Sequence, residues 1–202
     1  MKITLITILC TVAISSVAQH GKRMQYDQKG LLKLGVNTYF VGDEFPLSIS
    51  YEKKIAARES IELGVLPRLR KDAYENISGV GFNLAYRKYI SKGRTGLQGL
   101  YIMPNIRYGS LSTKDSIGEY TNSTTPPYYI YKPRTITTTN VAIGINFGHQ
   151  WVYKSGLTID ISGGIGFFRN NSKGTNLGYS GRFLGKEYGI TPQLSIKIGY
   201  AF

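Results

Sequence analysis

Eight charged residues, Lys33, Glu52, Lys54, Glu62, Arg87, Arg107, Asp160 and Lys197, each stand in a run where polar or small residues alternate with apolar ones. In a strand this alternation puts all the charges of a run on one side. Charges gathered behind an apolar wall need partners of opposite sign. The eight are therefore expected to form a lumen polar network, with Asp160 and Lys197 at similar depth on neighbouring strands and within reach of each other. A second chemistry centres on His149 as a general base, since the other histidine, His20, lies in a polar lead. A third is recognition: Tyr120, Tyr128, Tyr129 and Tyr131 cluster around Pro126-Pro127 with Lys132 and Arg134, and tyrosine beside arginine suits contact surfaces. No phosphate-cradling loop and no spaced His/Asp/Glu cluster stands in the chain, so no cofactor, metal or catalytic residue is expected.

Eight alternating segments must position these groups. They run Leu31 to Phe40, Pro46 to Ala56, Ile61 to Leu69, Ile77 to Ile90, Leu100 to Gly109, Val141 to Trp151, Leu157 to Phe168 and Ile190 to Phe202. The sixth is the cleanest. Val141, Ile143, Ile145, Phe147, His149 and Trp151 alternate with Ala142, Gly144, Asn146, Gly148 and Gln150. Pro67 is expected to weaken the third segment, because proline cannot donate to a ladder. The inward glycines Gly144, Gly148, Gly164 and Gly166 are expected to make room for long charged side chains. Connections after the second, fourth and sixth segments are short or moderate, whereas 111–134 and 169–187 read as long loops. That asymmetry belongs to an outer-membrane barrel with both termini on the periplasmic side. After residue 18 no stretch is apolar enough for a spanning helix, which leaves a closed sheet as the way to satisfy the backbone in lipid.

Residues 1–18 carry Lys2, an apolar run from Ile3 to Ile14, and Ser16-Val17-Ala18. This reads as a signal peptide cleaved before Gln19. Residues 19–30 form a short periplasmic lead and 31–202 the barrel. The single cysteine, Cys10, falls inside the signal behind the bulky Leu9, so lipidation is not expected and the mature chain contains no thiol. With 25 Lys+Arg against 12 Asp+Glu the chain carries a formal +13. Its basic residues are scattered through every turn and strand, which argues against nucleic acid and for anionic lipids, including the phosphates of lipopolysaccharide.

The ending Ile198-Gly199-Tyr200-Ala201-Phe202 resembles the carboxy-terminal assembly signal of outer-membrane proteins, with Tyr200 and Phe202 as the residues that the assembly machinery would read. The whole mature chain resembles the small eight-stranded barrels of the OmpA/OmpX type. Gly99-Leu100-Tyr101-Ile102-Met103-Pro104 and Gly144-Ile145-Asn146-Phe147-Gly148-His149-Gln150-Trp151 resemble, more closely, an uncharacterised family of Gram-negative envelope barrels, a domain of unknown function. The resemblance implies an all-β, eight-stranded antiparallel up-and-down transmembrane β-barrel in the outer membrane. It supplies no catalytic residues.

The expected function is a non-enzymatic, monomeric integral outer-membrane barrel with a plugged polar lumen, structural or surface-recognising through its long loops. An eight-stranded barrel is only wide enough for side chains to fill, which weighs against a narrow pore. Some barrels of this size deacylate lipid A with a histidine two residues before a serine; here Trp151 holds that position, and His149 reads better as an interfacial residue beside Trp151 and Tyr153. The remaining alternative, a soluble secreted barrel binding a small ligand, requires every apolar face to point inward.

Overall fold

The computed structural model describes residues 28–39, 47–71, 75–91, 96–121, 128–175 and 186–202. The expected signal peptide and nearly all of the lead lie outside them. Eight strands form in order: β1 (Gly30–Tyr39), β2 (Leu47–Ala56), β3 (Glu59–Lys71), β4 (Glu75–Tyr89), β5 (Gly99–Thr121), β6 (Tyr128–Val152), β7 (Leu157–Thr175) and β8 (Lys186–Ala201). Each pairs antiparallel with the next, and β8 returns to β1 to close the barrel. At the seam Leu31 faces Ala201 and Tyr39 faces Gln193. The main chain of Phe202 extends the seam: its N–H donates to Gly30 O (3.0 Å), and its carbonyl accepts from the N–H groups of Lys29 and Gly30, each at 3.1 Å. Closure pairs every strand on both sides within the barrel, and the end of the β5–β6 hairpin, past Asp115 and before Thr135, pairs on one side alone among the described residues.

Alternation fixes which way each wall position faces. Along β8, Thr191, Gln193, Ser195, Lys197 and Ala201 are buried, while Ile190, Leu194, Ile196, Ile198 and Tyr200 are exposed. The same inversion holds around the barrel. Leu34 is 61% exposed, Phe147 57% and Ile165 59%, whereas Glu62 and Arg87 are 0% exposed and Lys33 1%. A water-soluble barrel has the opposite arrangement, and that alternative is set aside by this wall.

Two expectations about length are corrected. Residues 111–134 are not a loop: β5 and β6 stay paired from Gly99↔Gln150 to Thr121↔Tyr128, which leaves 122–127 as the connection. The β-branched run Ile136-Thr137-Thr138-Thr139 favours strand, and it pairs with Thr113, Ser112, Leu111 and Ser110. Tyr120, Tyr128, Tyr129, Tyr131, Lys132 and Arg134 therefore lie on paired strands of a hairpin, with side chains outside the described residues. Likewise β7 runs on to Thr175 and β8 starts at Lys186, which shortens the expected loop 169–187. Pro67 lies inside β3, whose register continues through Pro67↔Val80 to Lys71↔Asn76.

At the short-turn end the barrel has an apolar floor. Leu97, 1% exposed, projects from the β4–β5 connection between Gly96 and Gly99, whose φ values of 110° and 106° suit glycine alone. It packs with Leu31, Tyr89, Tyr101 and Ala201.

Candidate functional site

Directly above this floor, six of the eight charged residues singled out by pattern meet inside the lumen. Lys33 enters from β1, Glu52 from β2, Glu62 from β3, Arg87 from β4, Asp160 from β7 and Lys197 from β8. Each sits two to four residues from the short-turn end of its strand because all are inward positions of segments that begin or end there. Lys33 Nζ lies within hydrogen-bond distance of Glu52, of Glu62 Oε2 (3.1 Å), of Asp160 Oδ2 (3.0 Å) and of the side-chain carbonyl of Gln150 (2.6 Å), four acceptors that share its three N–H groups. Arg87 donates to Glu62 Oε2 (2.5 Å), Asp160 Oδ2 (2.8 Å) and Gln150 Oε1 (3.1 Å). Three cations, Lys33, Arg87 and Lys197, thus face three carboxylates, Glu52, Glu62 and Asp160. Formal neutrality is what a buried cluster needs, since an uncompensated charge there is far costlier than a paired one.

Lys197 points into the lumen beside Asp160, and the two charges attract each other. The two are strand partners, yet Lys197 Nζ donates to Glu62 Oε1 at 2.5 Å. Neighbouring side chains leave the wall side by side, and a lysine long enough to cross the lumen finds a better-placed acceptor on β3. Asp160 is taken by Lys33, Arg87 and the Tyr101 hydroxyl, which donates to Oδ1 at 2.5 Å. Lys54 and Arg107 are not part of this cluster; Lys54 is half-buried near the β2–β3 turn, and Arg107 lies higher in the barrel, among Leu66, Asn83 and Asn146.

Four neutral residues that charge counting passed over complete the network. Tyr89 donates to Glu52 Oε1 (2.7 Å), Ser60 donates to the same oxygen, and Tyr101 stacks its ring 4.4 Å beneath the Arg87 guanidinium. Gln150 joins the charges to the floor: its amide donates to the Tyr89 hydroxyl (2.9 Å) and to the carbonyl of Leu97 (2.6 Å). The available signal was their inward parity, shared with the charges.

Glycines make this density possible. An added Cβ at Gly148 would run into the Tyr101 ring, at Gly35 into the Lys197 stem and at Gly199 into the Lys33 stem. Gly144 and Gly166 instead lie under the Gln193 amide, and Gly164 under Asn146. The lysines therefore cross Gly35 and Gly199 rather than the glycines expected to receive them.

A neutral polar belt lies above the cluster. Asn37, Ser48, Ser50, Asn83, Asn146, Gln193 and Ser195 each carry a buried side-chain atom with no hydrogen-bond partner within the protein. They line a cavity of about 20 Å³, room for one water that can satisfy several of them. On the outer surface His149 packs its ring against Trp151, with centroids 4.1 Å apart. Among the described residues no group of His, Cys, Asp and Glu could hold a metal ion.

Comparison with known proteins bears on the fold. No family model matches the chain. No curated protein matches it either. Among solved structures, a major outer membrane protein from Thermus thermophilus superposes with a TM-score of 0.50 at 14% identity, covering 88% of this chain and 100% of that one. The Acinetobacter baumannii protein CarO gives a TM-score of 0.45 at 9% identity, over 89% of this chain and 100% of that chain. The amino-terminal β-barrel domain of Pseudomonas aeruginosa OprF gives 0.38 at 11%, over 87% and 98%. With the closed eight-strand wall described above, the first of these likenesses identifies the fold: the chain is built as a small eight-stranded antiparallel barrel of the outer-membrane type.

Proposed function

We propose that this chain is a non-enzymatic integral outer-membrane β-barrel whose lumen is closed by the ionic cluster. One observation carries the reading: an apolar outer face that is exposed on every strand, around an interior that buries six charges. Lipid is the solvent that stabilises such a surface, and a closed sheet is the form in which strands can occupy it. A neutral, cross-linked cluster resting on the Leu97 floor supports a plug rather than a pore. The short turns and the Phe202 end of the β1–β8 seam face the periplasm, residues 1–18 are removed as a signal peptide, and Tyr200 and Phe202 serve as the assembly handle. Lipopolysaccharide and other anionic lipids are the surrounding partners of a monomer. The outward stacking of His149 on Trp151 favours an interfacial role over a catalytic one.

Two measurements on the purified protein test this. Heat-modifiable gel mobility of detergent-extracted outer membrane is expected, together with silence in planar bilayers. Recovery in the soluble periplasmic fraction, or sustained single-channel conductance, overturns the reading. A lipid A mass shift that depends on His149 overturns the non-enzymatic part alone. The long β5–β6 hairpin favours a surface-recognition role in addition, tested by deleting residues 115–134 and measuring adhesion and phage adsorption.

A further inference from the structure

Above the neutral belt, toward the long hairpins, the lumen opens into a chamber of about 120 Å³. Its hollow has a cause in the sequence. Gly81 and Gly109 are strand partners on β4 and β5, so two adjoining inward positions carry no side chain. A Cβ built on Gly109 meets nothing closer than 3.6 Å, and one on Gly81 nothing closer than 3.4 Å. Each position thus has room for a methyl group in ordinary van der Waals contact, and neither is filled by a side chain of its own.

Two arginines flank that hollow. Arg68 is the strand partner of Gly79, and Arg107 the strand partner of Asn83, so one lies on β3 and one on β5, on either side of Gly81. Both line the chamber, and both are held by interactions within the chain. Leu66 and Phe168 supply an apolar wall, and Asn140, hydrogen-bonded to Asn170, supplies a polar one. The described lining residues include no carboxylate. Glu187, the strand partner of Asn170, is exposed and is not among them.

We propose that this chamber is a binding site for a small organic anion, a carboxylate or a phosphate ester carried on an apolar body. Arg68 and Arg107 take the anion, and Leu66 and Phe168 take the body. Guanidinium forks match the oxygens of either group. Beneath the chamber, Arg107 and Leu66 also border the 20 Å³ cavity, whose orphaned amides and hydroxyls offer further donors. The ionic cluster and the Leu97 floor lie below, so the chamber is blind: it holds a ligand and does not pass it on. This goes beyond the membrane reading and does not depend on it, since binding is measured in micelles.

The test is calorimetric titration of the full chain in maltoside micelles with benzoate, phenyl phosphate and the neutral benzamide, with protein-free micelles as the blank. Saturable binding of at least one anion is expected, with benzamide weaker by roughly tenfold or more. Arg68→Gln and Arg107→Gln are each expected to weaken the anion by roughly tenfold. Gly109→Leu, which fills the hollow, is expected to abolish binding while leaving heat-modifiable mobility intact. Benzamide binding as tightly as the anions, unchanged affinity in folded Gly109→Leu, or no saturation up to about 10 mM of either anion overturns the proposal.

Discussion

Arg87 on β4 and Asp160 on β7 meet at 2.8 Å, so the pair spans the lumen instead of lying along the wall. Neighbouring strands are already joined by their ladders. A contact between strands three apart adds a strut across the interior, and Lys197 with Glu62 at 2.5 Å adds another.

Removing the hub of that arrangement is expected to cost most. Arg87→Met leaves three carboxylates facing two lysines in a buried site, a loss of about 3–5 kcal/mol. Arg87→Lys keeps the charge but gives up the planar reach to both Glu62 and Asp160, so it should fall between wild type and Arg87→Met. Urea unfolding in liposomes, followed by gel mobility, measures both; equal stability of all three proteins refutes the hub role.

Lys33 and Asp160 offer a test of coupling. Each single variant, Lys33→Met or Asp160→Asn, unbalances the cluster, whereas the double variant restores formal neutrality. The double-mutant cycle should therefore give a favourable interaction of roughly 1–3 kcal/mol. Strict additivity of the two changes would mean that the pair is not coupled.

The glycines separate crowded from open lumen. Gly148→Ala drives a methyl into the Tyr101 ring and is expected to destabilise by about 1–3 kcal/mol through overpacking. Gly109→Ala, with 3.6 Å of clearance, should be close to neutral. Midpoints of thermal unfolding in detergent compare them; a Gly109→Ala protein as impaired as Gly148→Ala contradicts the packing described.

A charge on the outer face reports on lipid. Ile143, exposed at mid-wall on β6, when changed to Lys should destabilise the bilayer-inserted protein by about 2–4 kcal/mol. The same change should matter much less in micelles thin enough to let the ammonium reach water. Equal effects in the two environments would mean that Ile143 does not face lipid.

The wall was legible from sequence because period two writes inside and outside directly: Val141 to Trp151 and Ile190 to Phe202 sort themselves without any knowledge of their neighbours. The partners within the lumen were not. Whether Lys197 reaches Asp160 beside it or Glu62 across from it depends on barrel diameter, strand stagger and side-chain length, none of which one strand records. Alternation puts Arg68 on the inner side of its segment, but Pro67 beside it and the polar run Arg70 to Asn76 beyond it kept it out of the expected lumen set. Leu97 is an apolar residue in a connection, where alternation says nothing. The full length of β5 and β6 was hidden for a different reason: strands with polar residues on both faces lack the one-sided signal, although they pair just as well.

The β1–β8 seam couples the two ends of the chain in time as well as in space. Leu31↔Ala201 and its neighbours join segments with nearly all of the barrel between them, so the entropy of closing that loop must be lost before any seam hydrogen bond compensates for it. Until β8 is in place, β1 and β7 present apolar strands with open edges, the form most prone to pair with other chains. Closure is thus expected to come late, and the unclosed chain to depend on being held apart from its own copies until the eighth strand arrives.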